Sequence, residues 1–162
     1  MLGKILRSGN FKKLPGLFWL ALKHPLFIIP TLRATRLTMT IAQREYGNKH
    51  VGNTPENAFR HALWSFLIAK NCLKWKNNIP KAARWTALIT DKHEIVAPNP
   101  PLERSMDEHN NSIGIALFQR SSSWEIDSVV NYLKTKTNTA KKIENPPGVN
   151  FFKDDLVYIS QK

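Results

Sequence analysis

The chain has 162 residues, 42% of them hydrophobic, and a formal net charge of +12. That is the usual size of one domain, with enough apolar residues for a real core. Cys72 is the only cysteine, which excludes an internal disulfide and fits a reducing compartment.

The charge is unevenly placed. Residues 1–50 hold nine Lys/Arg and one acid, for +8; residues 51–100 hold seven and three, for +4; the remainder balances to zero. A basic N-terminal third points to an anionic partner, whether a lipid surface, a nucleic acid or an acidic protein. Generic solubility charge is the plainer alternative.

Lys4, Arg7, Lys12 and Lys13 precede an apolar run, Leu14 to Leu22. Pro15 and Gly16 open the run, Lys23, His24 and Pro25 interrupt it, and no clear small-residue cleavage site follows. It therefore reads as retained rather than as a signal peptide. It is also too short to span a bilayer, which takes ~20 residues. Residues 14–24 are expected as a short apolar helix, punctuated by Pro25 and Pro30. A second helix is expected from about 30 to 46, with Tyr46-Gly47-Asn48 as its stop.

The third helix is the best signalled. Thr54 suits the N-cap and Pro55 the first helical position. Phe59, Leu63, Phe66, Leu67 and Ala69 recur at helical spacing to about Lys74. A fourth helix is expected from Pro80 to about Glu94, then a Pro-rich loop, Ala97 to Pro101. A fifth runs from Glu103 or Met106 to Phe118. Ser122 and Glu125 suit a capping box opening a sixth helix at about 123–134. The tail Leu156-Val157-Tyr158-Ile159 reads as a short strand or an extended packing segment, and one strand makes no sheet. The expected class is all-α: a single compact domain of about six helices with a short extended C-terminal tail. Residues 1–50 form a basic amphipathic N-terminal helical region, and 51–162 the helical domain carrying a polar site.

Asn57, Arg60, His61 and Trp64 fall at offsets 0, 3, 4 and 7, one helical stripe. Phe59, Leu63 and Phe66 occupy the neighbouring stripe, so the polar residues border the core instead of opposing it. Asp107, Asn110, Asn111 and Gly114 repeat the offsets, with His109 among them, and Ile113 to Phe118 follow at once. His93-Glu94 closes the fourth helix. Imidazole and carboxylate groups from three helices suit a divalent ion such as zinc, manganese or iron. Such an ion activates a water, which a carboxylate deprotonates. His61, His93 and Asp107 are the candidate ligands. Glu94 is the candidate base, with Arg60 and His109 as further catalytic groups. Asn57, Trp64, Asn110 and Asn111 are candidates for substrate binding. The spacing is not that of the H-E-x-x-H motif. Each residue also has a plain structural reading: a histidine bonded within the core, an aspartate in a helix's first turn, asparagines bonded to loop backbone.

Asn57-Ala-Phe-Arg-His-Ala-Leu-Trp, then Asp91-Lys-His-Glu, then Met106-Asp-Glu-His-Asn-Asn-Ser-Ile-Gly114 resemble an uncharacterised bacterial domain. In it an A-F-R-H-A-x-W helix, an H-E pair and an M-D-x-H-N-N-x-x-G helix recur in that order. The domain occurs in small stand-alone proteins and at the ends of larger secreted or wall-associated, toxin-like proteins. The resemblance covers residues 54–118 and implies an enzyme-like polar centre without naming a substrate.

Three functions are expected to compete. The first is a metal-dependent hydrolase acting at an anionic membrane surface on a phosphoester or lipid ester, cytoplasmic and peripheral to the inner face of the membrane. Its basic N-terminus bears Leu14, Phe18, Trp19 and Leu22 and suits a helix lying in the interface. The second, less favoured, is a nuclease, with Lys74-Trp75-Lys76 and Arg84-Trp85 as a stacking surface. The third is a non-enzymatic binding protein whose polar centre is structural.

Overall fold

A computed structural model describes residues 24–96, 99–146 and 152–160. The expected helix at 14–24, with Leu14, Phe18, Trp19 and Leu22, lies outside the described residues apart from His24.

Helix α1 spans Pro25–Tyr46. Pro25 occupies the first turn, where its missing N–H costs nothing. Pro30 does not break the helix as expected: it lies inside it and is buried. One turn from the helix start, its ring forgoes a single backbone bond and gains a place in the core. Gly47, at φ 56, ends the helix in the left-handed region that favours glycine. A 3-10 turn, Gly47–His50, follows.

Helix α2, Pro55–Lys76, begins as its sequence signals: Thr54 Oγ1 accepts the Asn57 N–H at 3.3 Å. It is the central helix. Phe59, Leu63, Phe66 and Leu67 are fully buried, and Ala34 and Ile41 of α1 join the same core. Helix α3 spans Ile79–Val96. The Trp85 indole N–H donates to Thr31 Oγ1 at 3.0 Å and that of Trp64 to Thr35 Oγ1 at 2.8 Å. Two hydroxyls one turn apart on α1 thus fasten α3 and α2.

Helix α4, Pro101–Ser121, starts earlier than expected, because Pro101 of the Pro-rich stretch takes the first helical position. Helix α5, Ile126–Asn138, starts later. The Ser122–Glu125 capping box does not form: Ser122 ends α4, and Glu125 caps α5 without a side-chain bond. Lys70 Nζ donates instead to the carbonyls of Ser122 and Trp124, at 3.1 and 2.6 Å. The tail is a strand with a partner. β1, Lys141–Lys142, pairs in parallel with β2, Val157–Tyr158, in the register Lys141↔Val157 and Lys142↔Tyr158. This two-residue ladder leaves the domain all-α in character. No described helix is long and apolar enough to cross a membrane.

Candidate functional site

Helix α4 lies against α2 through Gly114 and Ala62, and this contact faces the two polar stripes toward each other. The His61 ring is buried between them. Its Nδ1–H donates to Asn111 Oδ1 at 3.3 Å, and the Ser65 hydroxyl donates to the same oxygen at 2.9 Å. The Nε2 lone pair therefore points the other way. Arg60 Nη2 donates to it at 2.9 Å, and Asp107 Oδ1 stands 3.3 Å from it. Burial, then the nearby Arg60, holds the His61 pKa well below the usual imidazole value, so the ring is neutral with its one proton on Nδ1.

Glu94 completes the group. One ligand atom from each of His61, Glu94 and Asp107 lies within 4.8 Å of the others, and all three residues are buried. Burial, then the charge of Asp107, pushes the Glu94 carboxyl up to about 8. Among the described residues, Glu94 Oε1, Arg60 Nε and Asn111 Nδ2 are buried without hydrogen-bond partners. Such orphaned atoms are costly in a protein interior. An imidazole nitrogen facing two carboxylates, its other nitrogen fixed by an outer hydrogen bond, is the pattern of a metal ligand set.

The remaining candidates divide. His93, beside Glu94 in sequence, packs edge-on against Trp64 with ring centroids 5.2 Å apart. Burial, then Arg60, pushes it down to about 4, and it is not one of the three grouped residues. Arg60 Nη1 also donates to the His50 carbonyl at 2.7 Å. Asn57 Nδ2 donates to the Gly52 carbonyl, closing the turn before α2. His109 and Asn110 face the C-terminal tail. His109 Nε2 donates to the Asp155 carbonyl at 3.0 Å, while Asn110 donates to the Val157 carbonyl at 2.9 Å and accepts its N–H at 3.0 Å.

Several contributors carried no clear sequence signal. Ser65 continues the stripe of His61 at i+4 but sits among core residues. Asn99 Nδ2 reaches Asp107 Oδ2 at 3.3 Å from the Pro-rich loop. Thr35, Thr38 and Met39 of α1 line a narrow slot with Arg60, His61 and Trp64, too tight to admit a water molecule. The Thr-x-x-Thr spacing of Thr35 and Thr38 was the available hint. Trp85 is buried against α1, whereas Trp75 is half-exposed.

The fold and site define an all-α domain with a buried His-Glu-Asp centre shared by three helices. The chain belongs to the family described as a domain of unknown function, DUF6973, which matches residues 18–141. That span holds every residue of the centre and all of α1 to α5. Searches of curated proteins and of solved structures found no match.

Proposed function

We propose that the chain is a metal-dependent hydrolase acting on a phosphoester or lipid ester at an anionic membrane surface. His61, Glu94 and Asp107 would hold a divalent ion, with zinc, manganese and iron the ions that suit these donors. The observation that carries this reading is the convergence of a neutral imidazole lone pair and two carboxylates in a buried centre with orphaned polar atoms beside it. A bound ion supplies Lewis acidity and a nucleophilic water near neutral pH. The chain supplies the rest. Asn111 and Ser65 fix the ring of His61. Glu94, deprotonated once an ion is bound, would take up on its free carboxylate oxygen the proton that the attacking water loses. Arg60 exchanges its bond to His61 Nε2 for one to an anionic oxygen of the substrate. The basic N-terminal region and a lone cysteine that cannot pair within the chain support a cytoplasmic, membrane-peripheral location.

The test is turnover of phosphomonoesters, phosphodiesters and carboxylic esters by the purified chain with each ion, free and on anionic vesicles. Turnover is expected to vanish with chelator and in Glu94→Gln. Turnover that chelator leaves untouched contradicts the reading. The tightness of the slot at Thr38 and His61 supports a second reading, a non-enzymatic binding protein with a structural polar core. Absence of turnover with every ion and substrate class favours it.

A further inference from the structure

The outer face of α1 has unusual polarity. Leu26, Ile29 and Leu32 are 48%, 48% and 58% exposed, at a spacing of three that keeps them on one side of the helix. On α3, Leu88 is 37% exposed. It lines a pocket of about 310 Å³ whose floor is Phe27 and Trp85 and whose rim is Lys81 and Arg84. An adjoining pocket of about 210 Å³ sets Leu26 beside Lys76 and Lys81. Arg33 and Arg36 are exposed and continue the outer line of α1. No acid occurs in α1 before Glu45, and neither pocket is lined by one.

The surface therefore combines an apolar strip with five cations, Arg33, Arg36, Lys76, Lys81 and Arg84. Scattered exposed hydrophobics need no explanation, but a contiguous strip with a cationic border does. A nucleic acid would satisfy the cations and leave the aliphatic side chains in water. An anionic leaflet satisfies both, with phosphate headgroups against the cations and acyl chains against the aliphatic strip. We propose that the α1–α3 face is the surface on which the protein docks to an anionic lipid leaflet, with acyl-chain carbons entering the pocket above Phe27 and Trp85. This rests on the membrane half of the proposed function. It places the lipid contact on exposed side chains of α1 and α3, above the buried Phe27 and Trp85.

Flotation of the full chain with vesicles tests it, using phosphatidylglycerol mixed with phosphatidylcholine against phosphatidylcholine alone. One variant carries Leu26→Ser, Ile29→Ser and Leu32→Ser. A second carries Lys81→Glu and Arg84→Glu. All five side chains are exposed, so both variants are expected to keep the circular dichroism of the parent. The parent should bind the anionic vesicles preferentially, and each variant should lose at least about tenfold in partitioning. Zinc or manganese uptake at the His61 centre should be unchanged in both. Loss in the charge variant alone overturns the insertion of the strip. Undiminished binding by both variants overturns the assignment of this face while the membrane reading stands. Failure of the parent to bind anionic vesicles overturns both.

Discussion

A Cβ at Gly114 would lie 2.1 Å from the carbonyl oxygen of Ala62, so the backbones of α2 and α4 meet at a point only glycine fits. Asn111 and Asp107 stand three and seven residues earlier on the same stripe, and His61 precedes Ala62. The close approach is what brings the two asparagine- and aspartate-bearing turns within reach of the imidazole. Gly114→Ala must push backbone against backbone. It is expected to destabilise the fold by about 1–3 kcal/mol or more and to weaken ion binding at His61. A urea titration checks the first and an ion titration the second. An unchanged midpoint would show that the helices are free to separate.

The centre should also set how stability depends on pH in the ion-free protein. Glu94 titrates near 8 in the fold against 4.5 for an ordinary glutamate. Between those values the folded chain holds a proton that the unfolded chain has lost, so stability falls as pH rises. His93 titrates near 4 against 6.5, and His61 is lowered as well. Over that lower window the unfolded chain holds the extra protons, so stability rises with pH. Stability should therefore peak near pH 6.5 and then decline toward pH 8, by at most about 1.4 kcal/mol per pH unit. Glu94→Gln should abolish the decline. Denaturant midpoints across pH 5–9 read both, and a parental decline in the variant would assign it to another group.

Arg60 has a divided role. Its guanidinium bonds to His61 Nε2, the lone pair an ion would use, and its charge opposes any cation. Arg60→Gln should therefore tighten divalent-ion binding by at least about tenfold while weakening the binding of an inorganic phosphate to the ion-loaded protein. Calorimetry measures both affinities. Weaker ion binding in the variant would mean that Arg60 builds the centre rather than competing for it.

Asn110 behaves differently from its neighbour Asn111. Its amide satisfies both backbone groups of Val157, so Asn110→Ala should cost about 2–4 kcal/mol by leaving both buried and unpaired. Ion affinity should stay at the parental value. Hydrogen exchange at residues 155–159 is the local readout, and protection equal to the parent would show that the β1–β2 ladder, not Asn110, holds the tail.

The start of α2 was legible because capping chemistry is local: Thr54 and Pro55 act through neighbouring backbone groups. So was the stripe bearing Arg60 and His61, since helical spacing follows from the sequence itself. The choice between His93 and Glu94 was not. Adjacent residues point about 100° apart on a helix, and only the packing of α3 decides which one turns inward. His109 and Asn110 share a turn with Asp107, yet a tail some 47 positions away claims them, a contact no local pattern encodes. Lys141-Lys142 has no strand signal, because its partner supplies the ladder. Pro30 reads as a break and is absorbed by burial.

The proposed chemistry depends on a divalent ion held by His61, Glu94 and Asp107. Its most direct measurement is calorimetric titration of zinc and manganese into chelator-treated full-length protein, alongside His61→Ala and Asp107→Asn variants whose folding circular dichroism confirms. The parent is expected to bind about one ion per chain, with release of up to about one proton from Glu94 at pH 7, and both variants to lose binding. A folded parent that takes up neither ion, or variants that bind as tightly as the parent, would contradict it.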